Sequence, residues 1–134
     1  MDDLVFDQEI NLPYSYTAGA VQRAALAGLA EGRLIGSTNG SYTAVPAAPF
    51  APDGSHLRDM LELEPSGTLV AATVAQHLPG SPAFGLIMLA GASQPLLHRL
   101  GDGAQSLAAG AAVRAIWRAE RTGSIDDITH FAPA

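Results

Sequence analysis

Short runs of apolar residues, several of them alternating with polar ones, fill the second half of this chain and constrain its fold more than any other feature. A period of two is typical of strands that bury one face. The runs are separated by turn residues, and none is followed by a helix long enough to cross between parallel strands. We therefore predict a mainly β protein whose core is a five-stranded antiparallel barrel. The expected strands lie within residues 56–64, 66–80, 83–91, 94–101 and 111–121.

The last of these runs and the tail that follows it complete the expected barrel. Trp117 shares a face with Val113 and Ala115, so we expect it in the core or under the helix that precedes the strands. The tail adds an extended segment near Phe131. The adjacent carboxylates Asp126 and Asp127 are interpreted as a solvated turn, because neighbours in an extended chain point to opposite sides.

An amphipathic helix precedes the strands. Its pattern runs to about Glu31, Ser15 or Thr17 can cap its first turn, and Gly32 supplies the stop. One face is apolar and unusually smooth, because it is built from small side chains and a few larger ones: Val21, Ala25, Leu26, Gly28 and Leu29. Such a face fits either a partner protein or the chain's own domain, and the pattern alone leaves both open.

Charge and composition exclude several classes of function. The formal net charge is −6, and the only basic side chains apart from histidine are seven arginines. Nucleic acids and anionic membrane surfaces are bound mainly through basic patches, so both are poor candidates as partners. We see no secretory signal and no apolar run near the ~20 residues that span a bilayer, so the expected location is the cytoplasm.

No convincing catalytic or metal-ligating set appears in the sequence. Cysteine is absent, and the four histidines lie far apart: His56, His77, His98 and His130. No G-x-S-x-G motif marks a serine nucleophile. We therefore expect a protein that is not an enzyme, and we keep a hydrolase that uses His98 as an alternative.

Residues 36–55 form a proline-rich connector between the helix and the strands. Its "VPAAPFAPDGS" stands in order with "AEGRLIGS", "GTLVAATVA", "PAFGLIMLAGA", "PLLHRL", "GAAVRAIWRAER" and "DDITHFAP". Together these segments resemble the family of zinc-ribbon and OB-fold proteins that accompany thiolase-like enzymes. The resemblance runs from about Pro13 to Pro133.

The resemblance implies a zinc ribbon that has lost its metal. The positions that match the ribbon's cysteines hold Ser37, Gly40, Ala51 and either Asp53 or Gly54, and this set cannot form a tetrahedral zinc site. We expect no zinc and no other bound cofactor. The implied organisation is an N-terminal arm and docking helix over 1–35, a degenerate metal-free zinc-ribbon connector over 36–55 and an OB-fold barrel over 56–134.

The resemblance also implies a role as a non-catalytic accessory subunit of a thiolase-fold enzyme acting on acyl-CoA. A lipid-transfer-protein-type aldolase of steroid side-chain degradation is the particular partner we expect, in a hetero-oligomer. The residues predicted to contact the partner are Tyr14, Tyr16, Val21, Ala25, Leu29 and Phe50. Arg33 and Arg99 are predicted to meet the phosphates of CoA, because arginine forks suit phosphate oxygens. The alternative is a stand-alone OB-fold binder of acyl-CoA or single-stranded nucleic acid.

Overall fold

A computed structural model describes residues 19–134. The predicted helix is present as α1, Ala20–Ala30, and it ends as expected, with Gly32 in the left-handed region at φ 74°. Gly19 occupies the N-cap position, and its N–H donates to the Gln22 side chain at 3.0 Å. The two residues expected to cap the helix lie outside the described part of the chain. No helix within residues 19–134 has the length and apolar character that crossing a membrane requires.

A small antiparallel sheet follows the helix and includes the first part of the connector. Its strands are β1 (Leu34–Thr38), β2 (Thr43–Ala44) and β3 (Asp59–Leu63), in the order β2-β1-β3. Leu34 pairs with Leu63, and Ser37 pairs with Ala44. The connector therefore begins as a β-hairpin rather than as an irregular segment.

The strand expected within residues 56–64 was assigned to the wrong sheet. It forms β3, pairs with β1 and takes no part in the barrel. Leu63 is its only buried residue, whereas Leu61 is 40% exposed. Leu57 lies before the strand and is buried in a small separate cluster with Ala44 and Ala51. The leucines of this segment therefore do not share one packing site: Leu63 belongs to the main core, and Leu57 belongs to the small cluster.

The barrel is closed by five other strands, in the order β4-β5-β6-β8-β7. These are β4 (Ser66–Val74), β5 (Ala83–Leu89), β6 (Leu96–Leu100), β7 (Ala112–Trp117) and β8 (Ile128–Pro133). The tail thus supplies the fifth strand. The prediction of a fully antiparallel barrel was wrong at one seam, because β6 and β8 run parallel, with Leu100 opposite Phe131.

Alternate residues of the barrel strands fill its interior. Leu69, Ile87 and Leu96 lie opposite one another on neighbouring strands, and all three are buried. A Cβ on Gly85 would lie 2.8 Å from Leu100 Cδ1, so a larger residue at this position would require the leucine side chain to move. Trp117 is partly buried and packs against this core.

The helix, the small sheet and the barrel share one hydrophobic core. Leu29 of α1, Leu34 of β1 and Leu63 of β3 belong to the same cluster of buried side chains as Phe131 of β8. A short 3₁₀ helix, Ile125–Asp127, joins β7 to β8 and also contacts α1. The N-terminal part of the described chain is therefore packed onto the barrel.

Candidate functional site

The apolar face of α1 is used inside the chain. Ala25 and Leu29, which we predicted to contact a partner, are only 8% and 5% exposed. The helix packs closely on β1: a Cβ on Gly28 would lie 2.7 Å from Ile35 Cδ1. Most of the surface of Ala25 and Leu29 therefore covers the chain's own core, and the remainder lines a pocket of about 280 Å³ beside β1. Their contact with a partner stays a prediction.

The other predicted contact residues differ in their exposure and in whether the structure describes them. Val21 is partly exposed at the start of the helix. Phe50 is 51% exposed, and its ring lies 4.8 Å from that of His56, centroid to centroid. Tyr14 and Tyr16 lie outside the described residues. Val21 and Phe50 therefore keep accessible surface, and their contact with a partner stays a prediction.

Two turns of the connector are tied together by polar side chains. Asn39 accepts hydrogen bonds from the N–H groups of Ser41 and Tyr42 at 2.9 and 2.8 Å, and its Nδ2 donates to Ser55 Oγ at 3.0 Å. The Ser55 hydroxyl in turn donates to Asp53 Oδ1 at 2.6 Å, and this bond lowers the pKa of Asp53. These turns carry the positions where the resemblance places metal ligands.

Ser37, one of those positions, is fully buried and acts as a hydrogen-bonding hub. Its hydroxyl donates to the carbonyl of Ala48 at 2.7 Å and accepts from the N–H of the same residue at 2.8 Å. Within residues 19–134 no three histidine or carboxylate side chains come close enough to hold a metal ion. Hydrogen bonds therefore join the two turns and the chain between them, and none of the bonded groups is a thiolate.

Arg33 and Arg99, the predicted phosphate contacts, lie in different surroundings. Arg33 donates hydrogen bonds to Glu62 from both Nε and Nη2, at 3.0 and 3.2 Å, and it donates a further one to Glu31 at 3.3 Å. The hydrogen bonds to Glu62 are the main reason why the pKa of Arg33 is raised, and they lower the pKa of Glu62. The pairs are exposed, so they add little to stability.

Arg99 lines a surface groove of about 620 Å³ on the barrel. Arg118 lines the same groove and was missed as a candidate, although its outward position in the "RAIWRAER" alternation was a signal. The rest of the lining consists of four apolar and three polar side chains: Phe84, Leu97, Ile125 and Ile128, with His98, Asp126 and Thr129. The groove therefore combines two guanidinium groups with an apolar wall.

The histidines with described hydrogen bonds do not activate a nucleophile. His98 Nε2 lies 3.3 Å from the carbonyl oxygen of Ile125. His130 lies between Asp102 Oδ2, at 2.8 Å, and Thr129 Oγ1, at 3.1 Å, which has the outline of a hydroxyl-imidazole-carboxylate triad. However, the Thr129 hydroxyl donates its single proton to the carbonyl of Ile116, so it has none to give to the imidazole.

Asp127 is completely buried, which corrects its interpretation as part of a solvated turn. Its oxygens accept from the N–H groups of Thr122, Gly123 and Ser124 at 2.9, 2.7 and 3.1 Å. Desolvation acts to raise the pKa of Asp127, but these donors outweigh it and hold the pKa below its usual range. The carboxylate therefore shapes the loop before β8, and both of its oxygens are occupied.

The structure defines a class of protein in which a helix, a small three-stranded sheet and a closed five-stranded barrel share one core. A scan against protein-family models and a search of curated proteins each gave no match. Solved structures of this class do match the chain.

One of them is the structure described as the Ltp2-ChsH2(DUF35) aldolase. The likeness has a TM-score of 0.64 at 19% identity, and it covers 89% of this chain and 98% of the other. Another is a protein of unknown function from the DUF35 family of Sulfolobus solfataricus, with a TM-score of 0.63 at 14% identity over 87% of both chains. At these identities the likeness concerns the fold.

Proposed function

We propose that this chain is a non-catalytic accessory subunit that binds and stabilises a thiolase-fold enzyme acting on acyl-CoA thioesters. The observation that carries the proposal is the fold shared with nearly the whole of a chain from the Ltp2-ChsH2(DUF35) aldolase. The finer part of the proposal names a lipid-transfer-protein-type aldolase of steroid side-chain degradation as the partner, and it draws on the sequence resemblance.

The side chains of residues 19–134 support a role outside the chemistry. In that part of the chain the Thr129 hydroxyl, which lies beside the His130 imidazole, donates its proton to a backbone carbonyl. Both oxygens of the buried carboxylate of Asp127 accept hydrogen bonds from backbone N–H groups. A nucleophile needs a free base beside it. The bond-breaking groups therefore belong to the partner in this proposal.

Arg99 is the better of the two candidates for a contact with CoA. It lines a groove that also holds Arg118, whereas Arg33 would first have to leave Glu62. The same groove supports the second candidate function, a stand-alone binder of an acyl-CoA. A single-stranded nucleic acid is a weaker ligand for it, because the chain carries a net charge of −6.

The proposal is tested by co-expressing this chain with a thiolase-fold enzyme of the same organism. We expect the two to co-elute in a fixed ratio, the enzyme to lose solubility or activity when produced alone, and this chain alone to cleave no thioester. An enzyme that is equally soluble and active alone, and that never co-elutes with this chain, would contradict the proposal. A rise in the melting temperature of the isolated chain with acyl-CoA would favour the stand-alone binder.

A further inference from the structure

The charges of the chain are divided unevenly between its two parts. From Pro65 to His98 no residue is Arg, Lys, Asp or Glu. Residues 66–134 hold four arginines and four carboxylates, so the whole formal charge of −6 lies in residues 1–65. Protein surfaces are ordinarily rich in charged side chains, and the centres of protein interfaces are depleted in them. The uncharged stretch contains β4, β5 and most of β6.

Part of this uncharged stretch forms an exposed apolar surface on the outside of the barrel. Side chains paired across neighbouring strands share a face, and one such row consists of Ala71, Leu86 and Leu97. The row of Leu69, Ile87 and Leu96 is buried in the barrel interior. Since successive rows along the strands face opposite sides, the row of Ala71, Leu86 and Leu97 points outward. Leu97 is 64% exposed, and Val70, at the β-bulge next to the row, is 45% exposed. We call the surface made by Val70, Ala71, Phe84, Leu86 and Leu97 the apolar barrel face.

An unprotected strand edge borders the apolar barrel face. The pairs between β4 and β7 end at Thr68, whereas those between β4 and β5 continue to Val74. Within residues 19–134, no strand is recorded along the other side of β4 from Val70 to Val74, and all five of these residues are exposed. Exposed edges are usually protected from other chains by charged residues, proline or a bulge. This edge has no charged residue and no proline, and its bulge lies at its first residue, Val70, so Ala71 to Val74 remain available for pairing.

We propose that the apolar barrel face is the surface on which the partner enzyme docks, and that it meets an apolar, uncharged surface of that enzyme. This inference rests on the proposed function and gives it a site. It assigns contact to the barrel rather than to Ala25 and Leu29 of the helix, which are buried in the chain's own core. The neutral charge of the barrel part matches a neutral occupant, whereas a basic partner would fit the acidic N-terminal part.

The occupant is a protein in this proposal, because the face adjoins a strand edge with which a second polypeptide can pair. Phe84 and Leu97 also line the groove that holds Arg99 and Arg118, so a docked protein would cover one wall of that groove. The fold neighbour in the two-component Ltp2-ChsH2(DUF35) aldolase supports an enzyme as that protein. Leu97 is the expected energetic centre, since it is the most exposed of the large apolar side chains and has apolar neighbours across the sheet.

The test compares three single variants in co-purification with the tagged thiolase-fold enzyme that co-elutes with the wild-type chain. Leu97→Lys and Val70→Lys place a charge on the apolar barrel face. Met60→Lys is the matched control, because Met60 is 59% exposed on β3 and receives the same change. We expect Leu97→Lys to weaken the complex about tenfold or more, as at an interface hot spot, and Met60→Lys to change its affinity by less than about twofold.

Two further measurements keep the result interpretable. Circular dichroism establishes that each variant is folded, and if Leu97→Lys does not fold, Val70→Lys decides the question. The affinity of the wild-type complex should change little between about 50 and about 500 mM salt, because screening acts on charges and the row of Ala71, Leu86 and Leu97 carries none. Arg99 lies at the border of the face, opposite Phe84. A steep loss of affinity with salt would place the contact on the acidic part of the chain and overturn the inference.

The remaining outcomes separate this inference from the proposed function. A wild-type complex that tolerates both lysines on the apolar barrel face overturns the inference and leaves the accessory role standing. No complex with the wild-type chain overturns both. A wild-type chain that dimerises alone, and that Leu97→Lys makes monomeric, shows that a second copy covers the face and so overturns the enzyme as its occupant.

Discussion

Replacing Ser37 by alanine should destabilise the fold far more than the loss of one small hydroxyl would suggest. The Ser37 hydroxyl is bonded to both backbone groups of Ala48, at 2.7 and 2.8 Å, and is closed off from solvent. In Ser37→Ala the N–H and the C=O of Ala48 both lose their partner on that side. A buried polar group left unpaired costs about 1–3 kcal/mol, and Ala48 is only partly buried, so we expect a total loss of about 2–4 kcal/mol.

Urea unfolding followed by circular dichroism measures this loss. With a slope of about 2 kcal/mol per molar urea, in the middle of the range for small proteins, the unfolding midpoint should fall by roughly 1–2 M. Ser41→Ala is the matched control, because Ser41 lies in the same hairpin but is exposed, and it should change the free energy of unfolding by less than about 0.5 kcal/mol. If Ser37→Ala behaves like the control, the hydroxyl does not hold the connector and the reasoning is refuted.

Three further predictions follow from other parts of the structure. Gly67→Ala should lower the free energy of unfolding by about 2 kcal/mol or more, because its new Cβ would collide with the backbone carbonyl of Met88, which cannot turn away as a side chain would; an unchanged melting temperature would contradict this. Asp127 has a lowered pKa, so its contribution to stability is present above the ordinary carboxyl pKa of about 3.9 and is lost as the pH falls through the lowered value. Asp127→Asn should therefore be less stable than the wild type at neutral pH and lose less further stability on acidification, and parallel pH-stability curves would argue against it. Chelation with EDTA should leave the melting temperature unchanged, because the chain has no cysteine and residues 19–134 contain no cluster of metal ligands; stoichiometric zinc in elemental analysis would show the contrary.

The helix and most of the barrel strands could be predicted from local patterns, because those patterns report packing between near neighbours. Gly32 ends α1 where the sequence placed the stop, and β5 buries alternate residues. The assignment of residues 56–64 failed for a physical reason. A half-buried strand looks the same whichever sheet it joins. The partner of β3 is β1, which begins at Leu34 and ends in the first residues of a connector that showed no strand period.

The parallel seam between β6 and β8 depends on a loop whose chemistry was hidden in the sequence. Two adjacent aspartates ordinarily indicate a solvated turn, but the buried carboxylate of Asp127 accepts hydrogen bonds from three backbone N–H groups. Those donors belong to residues only three to five positions away, so the bonds follow from the loop's shape and not from residue type. For the candidate site, the run without charge from Pro65 to His98 was visible from the start, but only the pairing of Ala71, Leu86 and Leu97 shows which side of it faces outward.

The parallel seam has a consequence for the order in which the chain acquires its fold on the ribosome. β8 is synthesised after the other four strands of the barrel, yet it lies between β6 and β7 and contributes Phe131, which is fully buried. Until residues 128–133 have emerged, β6 and β7 have no strand between them and the nascent barrel stays open along that side. Pairing of this kind joins distant parts of the chain and forms slowly, so the period before closure is when the growing polypeptide is most exposed to aggregation.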